Sequence, residues 1–171
     1  MPEPTLHRPT WAEINLGNLS FNLESVRNFI GRDIACLAVV KANAYGHGSV
    51  ECAKRLEADG VDWFGVALPE EGVELRNAGI QTPILCLGSF WHGQEDLLLD
   101  HDLKPVIYRI ENAEWFNAAA KRKERIANVH VKVDTGMGRI GVDFETVSEF
   151  ADHLKNFTHL NVDGVMTHFA V

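Results

Sequence analysis

The sequence has 171 residues, of which 46% are hydrophobic and 23% are charged, a composition typical of a folded globular domain. Its formal net charge of −8 disfavours nucleic acid and anionic membrane surfaces as partners, because both require a basic face. No run approaches the roughly 18 apolar residues that span a bilayer, and no signal peptide is visible. We therefore expect a cytoplasmic protein that binds a small molecule.

The chain opens with residues 1–16, whose last part, Thr10–Leu16, alternates apolar and polar residues as a strand does. No partner for this strand is evident in the sequence. The next segment predicts a helix that ends at Gly31. Its apolar residues recur at helical spacing: Leu19, Leu23, Val26 and Ile30.

Short apolar runs bounded by turn residues predict six strands. They are Cys36–Lys41, Trp63–Ala67, Ile84–Leu87, Lys104–Ile107, Val129–Val133 and Gly164–Thr167. Helical patterns separate them; the last is expected to begin with a cap at Asp143 and to bury Phe144, Val147, Ala151 and Leu154.

Strands that alternate with helices predict a parallel sheet, either doubly wound or closed into a (β/α)8 TIM barrel. A barrel has eight strands and about 250 residues. Residues 1–171 would then form an incomplete α/β barrel with about six parallel strands.

Polar residues at the carboxyl ends of the strands are the first candidates for a site, because ligands of parallel α/β folds bind there. Lys41 closes an apolar strand, where burial disfavours the ammonium form and favours an amine able to form an imine. The sequence continues Ala42-Asn-Ala-Tyr45-Gly-His-Gly48, and glycines allow the backbone to approach a ligand closely.

The run Val39-Val-Lys41-Ala-Asn-Ala-Tyr45-Gly-His-Gly resembles the cofactor-lysine motif of the alanine racemases, which use pyridoxal 5′-phosphate (PLP). The resemblance implies that Lys41 carries PLP covalently and that Tyr45 helps to hold its phosphate. It also implies that the sheet belongs to a TIM barrel.

A second run, Lys132-Val-Asp134-Thr-Gly-Met-Gly-Arg139-Ile-Gly, is similar to another signature of the same family. The resemblance implies that Arg139 contacts the substrate carboxylate and the phenolic oxygen of the cofactor, a role that suits a planar guanidinium. Lys132 corresponds to a lysine that is often carbamylated in this family. Asp134 is expected to cap the turn that follows the strand.

A third run, Met166-Thr-His168-Phe-Ala, resembles the strand end whose histidine packs against the pyridine ring of PLP. The other histidines lack such a context, and no grouping of cysteines, histidines and carboxylates predicts a metal site.

The resemblance thus implies an isomerase that interconverts L- and D-alanine and supplies D-alanine for peptidoglycan. Family members are homodimers in which a tyrosine from the C-terminal β domain of the partner subunit acts as the second base. The resemblance also implies that the strand-like segment in residues 1–16 pairs with a C-terminal β domain that the 171 residues do not contain. Neither tyrosine of this sequence has that context, so we expect the 171 residues alone to be inactive or weakly active. A non-catalytic PLP-binding protein, a broad-specificity racemase and an assembly fragment with inherited residues remain open as alternatives.

Overall fold

The structure is a computed structural model that describes residues 10–170. Seven helices and seven strands are formed within this range. The helices are α1 (Leu16–Ile30), α2 (Lys41–Gly46), α3 (Ser49–Ala58), α4 (Pro69–Asn77), α5 (Glu95–Asp100), α6 (Ile110–Arg122) and α7 (Val147–Leu154). The strands are β1 (Leu37–Val39), β2 (Trp63–Val66), β3 (Ile84–Cys86), β4 (Leu103–Ile107), β5 (Ala127–Asp134), β6 (Val142–Asp143) and β7 (Leu160–Met166).

The strands form one parallel sheet in the order β1-β2-β3-β4-β5. Beyond β5, the long strand β7 pairs along most of its length, while β6 pairs with its last two residues only. Within residues 10–170, β1 and β7 do not pair with each other, so the sheet is open. The predicted parallel α/β architecture is confirmed, and the open sheet agrees with an incomplete barrel.

The hydrophobic core lies between the outer face of the sheet and the helices that cover it. Its largest fully buried side chains come from both layers, among them Phe64, Ile84 and Val129 from strands and Leu75, Leu98 and Phe116 from helices. Burying each such side chain stabilises the fold by about 1.5–3 kcal/mol. The core therefore fixes the strands, and their carboxyl ends with them.

The concave face of the sheet is more polar. Trp63 and His130 stack with their ring centroids 5.4 Å apart, and the Lys104 Nζ lies 4.6 Å from the centroid of the Trp63 ring. Lys104 also pairs with Asp163 at 3.2 Å. Alternation along β5 places Lys132 on the same face as His130, two residues closer to the carboxyl end. A polar layer thus lies directly beneath Lys132.

All six predicted strands are confirmed, with bounds that shift by up to four residues at their ends. The two-residue strand β6 was not predicted, since two residues carry no periodicity. The predicted start of the last helix is wrong: Asp143 belongs to β6, α7 begins at Val147, and Phe144 is exposed. In α1, Val26 is 47% exposed although it lies on the predicted apolar stripe.

Residues 10–15 are in neither a helix nor a strand, and Leu16 is the first residue of α1. The predicted strand therefore is not formed in the described part of residues 1–16. Residues 1–9 lie outside the described range, and the pairing with a further domain stays a prediction.

Candidate functional site

The predicted site residues all lie at the carboxyl ends of strands. Lys41 begins the segment after β1, Lys132 lies near the end of β5, Arg139 is on the loop between β5 and β6, and His168 follows β7. Tyr45 lies on α2, and its ring centroid is 6.0 Å from the Lys41 Nζ. Lys132 is buried, Lys41 is half-buried, and the other three side chains are exposed.

The segment that carries Lys41, α2, is a left-handed turn. Ala42, Asn43, Ala44 and Tyr45 all have φ between 50° and 55°. For residues other than glycine this conformation costs roughly 1–2 kcal/mol each, so it persists only where the surroundings hold it. Two backbone bonds help: the N–H of Ala44 donates to the carbonyl of Val40, and the N–H of Gly48 donates to that of Asn43.

The side chains around this turn supply further bonds. The Asn43 Oδ1 accepts from the N–H of Ser49 at 2.8 Å, and the Glu71 Oε1 accepts from the N–H of Ala42 at 2.7 Å. On the strand side, the N–H of Val40 donates to the carbonyl of Gly65 on β2 at 2.9 Å. Hydrogen bonds from their backbone N–H groups therefore hold Val40 and Ala42, the residues before and after Lys41.

Arg139 lies on a loop, residues 135–141, that is organised by the residue just before it. The Asp134 Oδ1 accepts from the N–H groups of Gly136 and Gly138, each at 3.0 Å. These bonds, first that of Gly138 and then that of Gly136, lower the pKa of the Asp134 carboxyl. The prediction that Asp134 caps this turn is confirmed.

The loop after β7 is tied to the Arg139 loop. The hydroxyls of Thr135 and Thr167 are 2.6 Å apart and share a hydrogen bond. A Cβ added at Gly136 would lie 3.8 Å from the Cβ of Ala170. His168 lies between these two contacts on its own loop, so the positions of the Arg139 and His168 loops are coupled.

Lys132 is only 5% exposed, which is unusual for a lysine. Burial lowers its pKa, the positive charges of Arg139 and Lys41 lower it further, and Asp134 opposes them. The influence of Lys41 is informative, because three strands separate β1 from β5 in the sheet. The sheet is curved enough to bring the two lysines within electrostatic range.

Two cations, Lys41 and Arg139, thus lie within electrostatic range of Lys132 at the carboxyl ends of the strands. Among residues 10–170, no carboxylate lies within 4.0 Å of the charged nitrogens of Lys41, Lys132 or Arg139. Like charges that repel one another without a bound anion are expensive to assemble. The arrangement fits an anionic ligand that also offers an electrophile to the Lys41 amine.

No group of three or more histidine, cysteine, aspartate or glutamate side chains among the described residues is placed to hold a metal ion. Within residues 10–170, no helix has both the length and the apolar character needed to cross a membrane.

Sequence reasoning missed one contact of this site. The Glu71 carboxylate on α4 accepts from the N–H of Ala42, a residue 29 positions earlier in the chain. No local pattern signals such a contact. It depends on β1 and β2 being neighbours in the sheet.

Comparison with known proteins identifies the family. Residues 14–171 match the family model described as alanine racemase, N-terminal domain. The alanine racemase of Halothermothrix orenii is 45% identical over 163 residues, which are 95% of this chain and 43% of that protein. The chain thus spans less than half the length of this relative.

Solved structures agree with this relationship. The alanine racemase of Clostridium difficile 630 in complex with cycloserine superposes with a TM-score of 0.90 at 43% identity, covering 97% of this chain and 46% of that one. The alanine racemase of Bartonella henselae with covalently bound pyridoxal phosphate superposes with a TM-score of 0.82 at 25% identity, covering 92% and 46%. The open parallel sheet is therefore part of a TIM barrel, and the chain belongs to the alanine racemase N-terminal domain family.

Proposed function

We propose that this chain is the cofactor-binding part of a PLP-dependent alanine racemase, an isomerase that interconverts L- and D-alanine. The observation that carries the proposal is the convergence of Lys41, Lys132 and Arg139 at the carboxyl ends of β1 and β5 without a carboxylate partner among the described residues. The relatives named above support alanine as the substrate.

The residues present fit PLP. The cofactor brings an aldehyde and a phosphate dianion, and the site offers a half-buried amine and a surplus of positive charge. Lys41 would hold the aldehyde carbon covalently. Tyr45, on the same left-handed turn, would donate its hydroxyl to the phosphate, and His168 would pack against the pyridine ring.

Arg139 would bind the substrate. A guanidinium offers two parallel N–H donors to a carboxylate, so it anchors an amino acid in one orientation. Its position on the loop after β5, next to Lys132, allows the same side chain to contact the phenolic oxygen of the cofactor.

When bound, PLP supplies an electron sink that acidifies the Cα–H of an amino acid. Once the amino group of the substrate has displaced Lys41 from the aldehyde carbon, the freed Lys41 amine would take the Cα proton on one face, for which a neutral amine is required. Racemisation needs a second base on the other face. We propose that a further domain of the partner subunit supplies it, so that the 171 residues alone bind PLP weakly and racemise alanine very slowly.

Lys132 would be carbamylated. Its lowered pKa increases the fraction of neutral amine, the form that reacts with CO2. The carbamate would replace a buried cation next to Arg139 with an anion. That anion could accept hydrogen bonds from the Arg139 guanidinium. Homodimer formation, a cytoplasmic location and the supply of D-alanine to peptidoglycan complete the proposal.

A PLP titration followed by visible absorbance tests the cofactor claim. We expect a band from bound cofactor in the wild type and in Lys54→Ala, which removes an exposed lysine of α3, and none in Lys41→Ala. Equal binding by Lys41→Ala would contradict the proposal. Rapid L- to D-alanine turnover by the 171 residues alone would contradict the need for a second domain, and binding without turnover by the dimeric protein would favour a PLP carrier.

A further inference from the structure

Glu71 holds three backbone N–H groups with one carboxylate. Its Oε2 accepts from Ala67 at 2.6 Å and from Leu68 at 3.1 Å, which satisfies free donors at the start of α4. Its Oε1 accepts from Ala42 at 2.7 Å. Capping explains the first two bonds but not the third, which reaches across the sheet to the residue after Lys41.

The third bond acts where the backbone is strained. Ala42 is the first residue of the left-handed turn, with φ of 51°, and is bonded directly to the carbonyl carbon of Lys41. Fixing its N–H fixes the peptide plane between the two residues, and so the direction in which the Lys41 side chain leaves the backbone. The plane between Val40 and Lys41 is held by the Val40 carbonyl, which accepts from the N–H of Ala44 at 2.8 Å.

We propose that Glu71 is a positioning residue that holds Lys41 in the orientation needed to react with the cofactor. A charged acceptor suits this task, because hydrogen bonds to a carboxylate are about twice as strong as neutral ones. The inference rests on the proposed role of Lys41 as the cofactor lysine. The hydrogen bond between Ala42 and Glu71 does not depend on that role, so the bond and the role of Lys41 can be tested separately.

The variant Glu71→Gln separates capping from positioning. One amide oxygen can still accept from Ala67 and Leu68, while the amide NH2 then faces the N–H of Ala42 and cannot accept from it. Glu70→Gln is the matched control, because it removes the same charge from the same helical turn. The Glu70 carboxylate contacts the side chain of Gln94 instead.

The first measurement is amide hydrogen exchange at Ala42 in the cofactor-free protein. Loss of a bond to a charged group should accelerate exchange there by roughly tenfold or more in Glu71→Gln. The rate in Glu70→Gln should equal that of the wild type. An unchanged rate in Glu71→Gln would overturn the proposal whether or not Lys41 binds PLP.

The second measurement is the rate at which a pyridoxyl adduct on Lys41 accumulates when borohydride is added after PLP. We expect about a tenfold slower rate in Glu71→Gln, at a temperature where all variants are folded. A lower unfolding temperature with an unchanged trapping rate would show a purely structural role and overturn the inference. Absence of any adduct in the wild type would instead contradict the proposed function.

Should Glu71→Gln fail to fold, Glu71→Asp serves the same purpose. The shorter side chain keeps the charge at the start of α4 but cannot span both segments. It should therefore show the same increase in exchange at Ala42 and the same slower trapping. Wild-type values for both would overturn the proposal.

Discussion

The two loops that carry Lys41 and Arg139 are held in different ways. The left-handed turn after β1 depends on a side chain from another element, since Glu71 on α4 accepts from Ala42. The Arg139 loop is held by its own neighbour, because Asp134 accepts from Gly136 and Gly138. The first loop therefore depends, besides its local bonds, on a side chain of another element, whereas the turn of the second is formed by its own sequence and is tied to the loop after β7 at Thr135.

This difference has a functional meaning in the proposed enzyme. The lysine that forms a covalent bond needs one fixed direction, and a contact between two strand ends provides it. The arginine that binds substrate lies on an exposed loop with three glycines, a composition that permits adjustment to a ligand.

The Arg139 loop should be most sensitive at Gly141. This residue has φ of 141°, and an added Cβ would lie 2.5 Å from the Asp134 nitrogen and 2.9 Å from the Val133 carbonyl carbon. We expect Gly141→Ala to lower the free energy of unfolding by about 3 kcal/mol or more, measured by urea denaturation. Gly138→Ala is the control, with φ of 70° but open space around the Cβ, and should cost only about 1 kcal/mol. Equal losses would show that the close approach at Gly141 relaxes.

Lys132 connects the two regions, because both Lys41 and Arg139 act on it. In buffer free of CO2, Lys132→Met should raise the free energy of unfolding at neutral pH by about 1 kcal/mol, since it removes a buried cation. The folded-state pKa lies below the ordinary 10.5, so the unfolded state binds more protons. The stability of the wild type should therefore increase relative to that of Lys132→Met as pH rises toward 10.5, so the difference between the two proteins should shrink.

Bicarbonate provides the companion measurement at Lys132. Carbamylation in the folded state should stabilise the wild type and leave Lys132→Met unchanged. A ¹³C signal from labelled bicarbonate, absent in the variant, would identify the modified lysine. No signal and no gain in stability would contradict the proposed carbamate.

The smallest effect is expected at Asp134, whose carboxyl is exposed to solvent. Asp134→Ala should accelerate amide exchange at Gly136 and Gly138 and leave Ala42 unchanged. Because its pKa is lowered in the folded state, the stabilisation is present above the ordinary value of 3.8 and is lost as pH falls through the folded-state value. The protection factors of both glycines in the wild type, which compare the exchange rate with the intrinsic rate at each pH, should fall over that range. A parallel change at Ala42 would contradict the independence of the two loops.

The sequence could predict features that depend on neighbouring residues, but not those that depend on contacts between distant residues. The turn after Asp134 combines a capping side chain with glycines, a pattern that is read locally. Six strands were predicted because apolar runs bounded by turn residues are also local signals. The left-handed conformation of Ala42–Tyr45 was not predicted, since three of these residues disfavour positive φ and the conformation depends in part on the contact with Glu71 of α4.

The burial of Lys132 could not be predicted from the residues around it either. The alternation along β5 places His130 and Lys132 on one face, but the curvature that brings Lys41 within range of Lys132 arises from the packing of the whole sheet. The start of α7 was misplaced for a similar reason. Asp143 is a plausible cap, yet its pairing with β5 through β6 places it in the sheet.

The proposal that Lys41 is the cofactor lysine is tested most directly by peptide mass mapping of the wild-type chain after PLP binding and borohydride reduction. The pyridoxyl group should be found on Lys41, and exposed lysines such as Lys54 should remain unmodified at stoichiometric PLP. A label spread over surface lysines, or concentrated on Lys132, would contradict it.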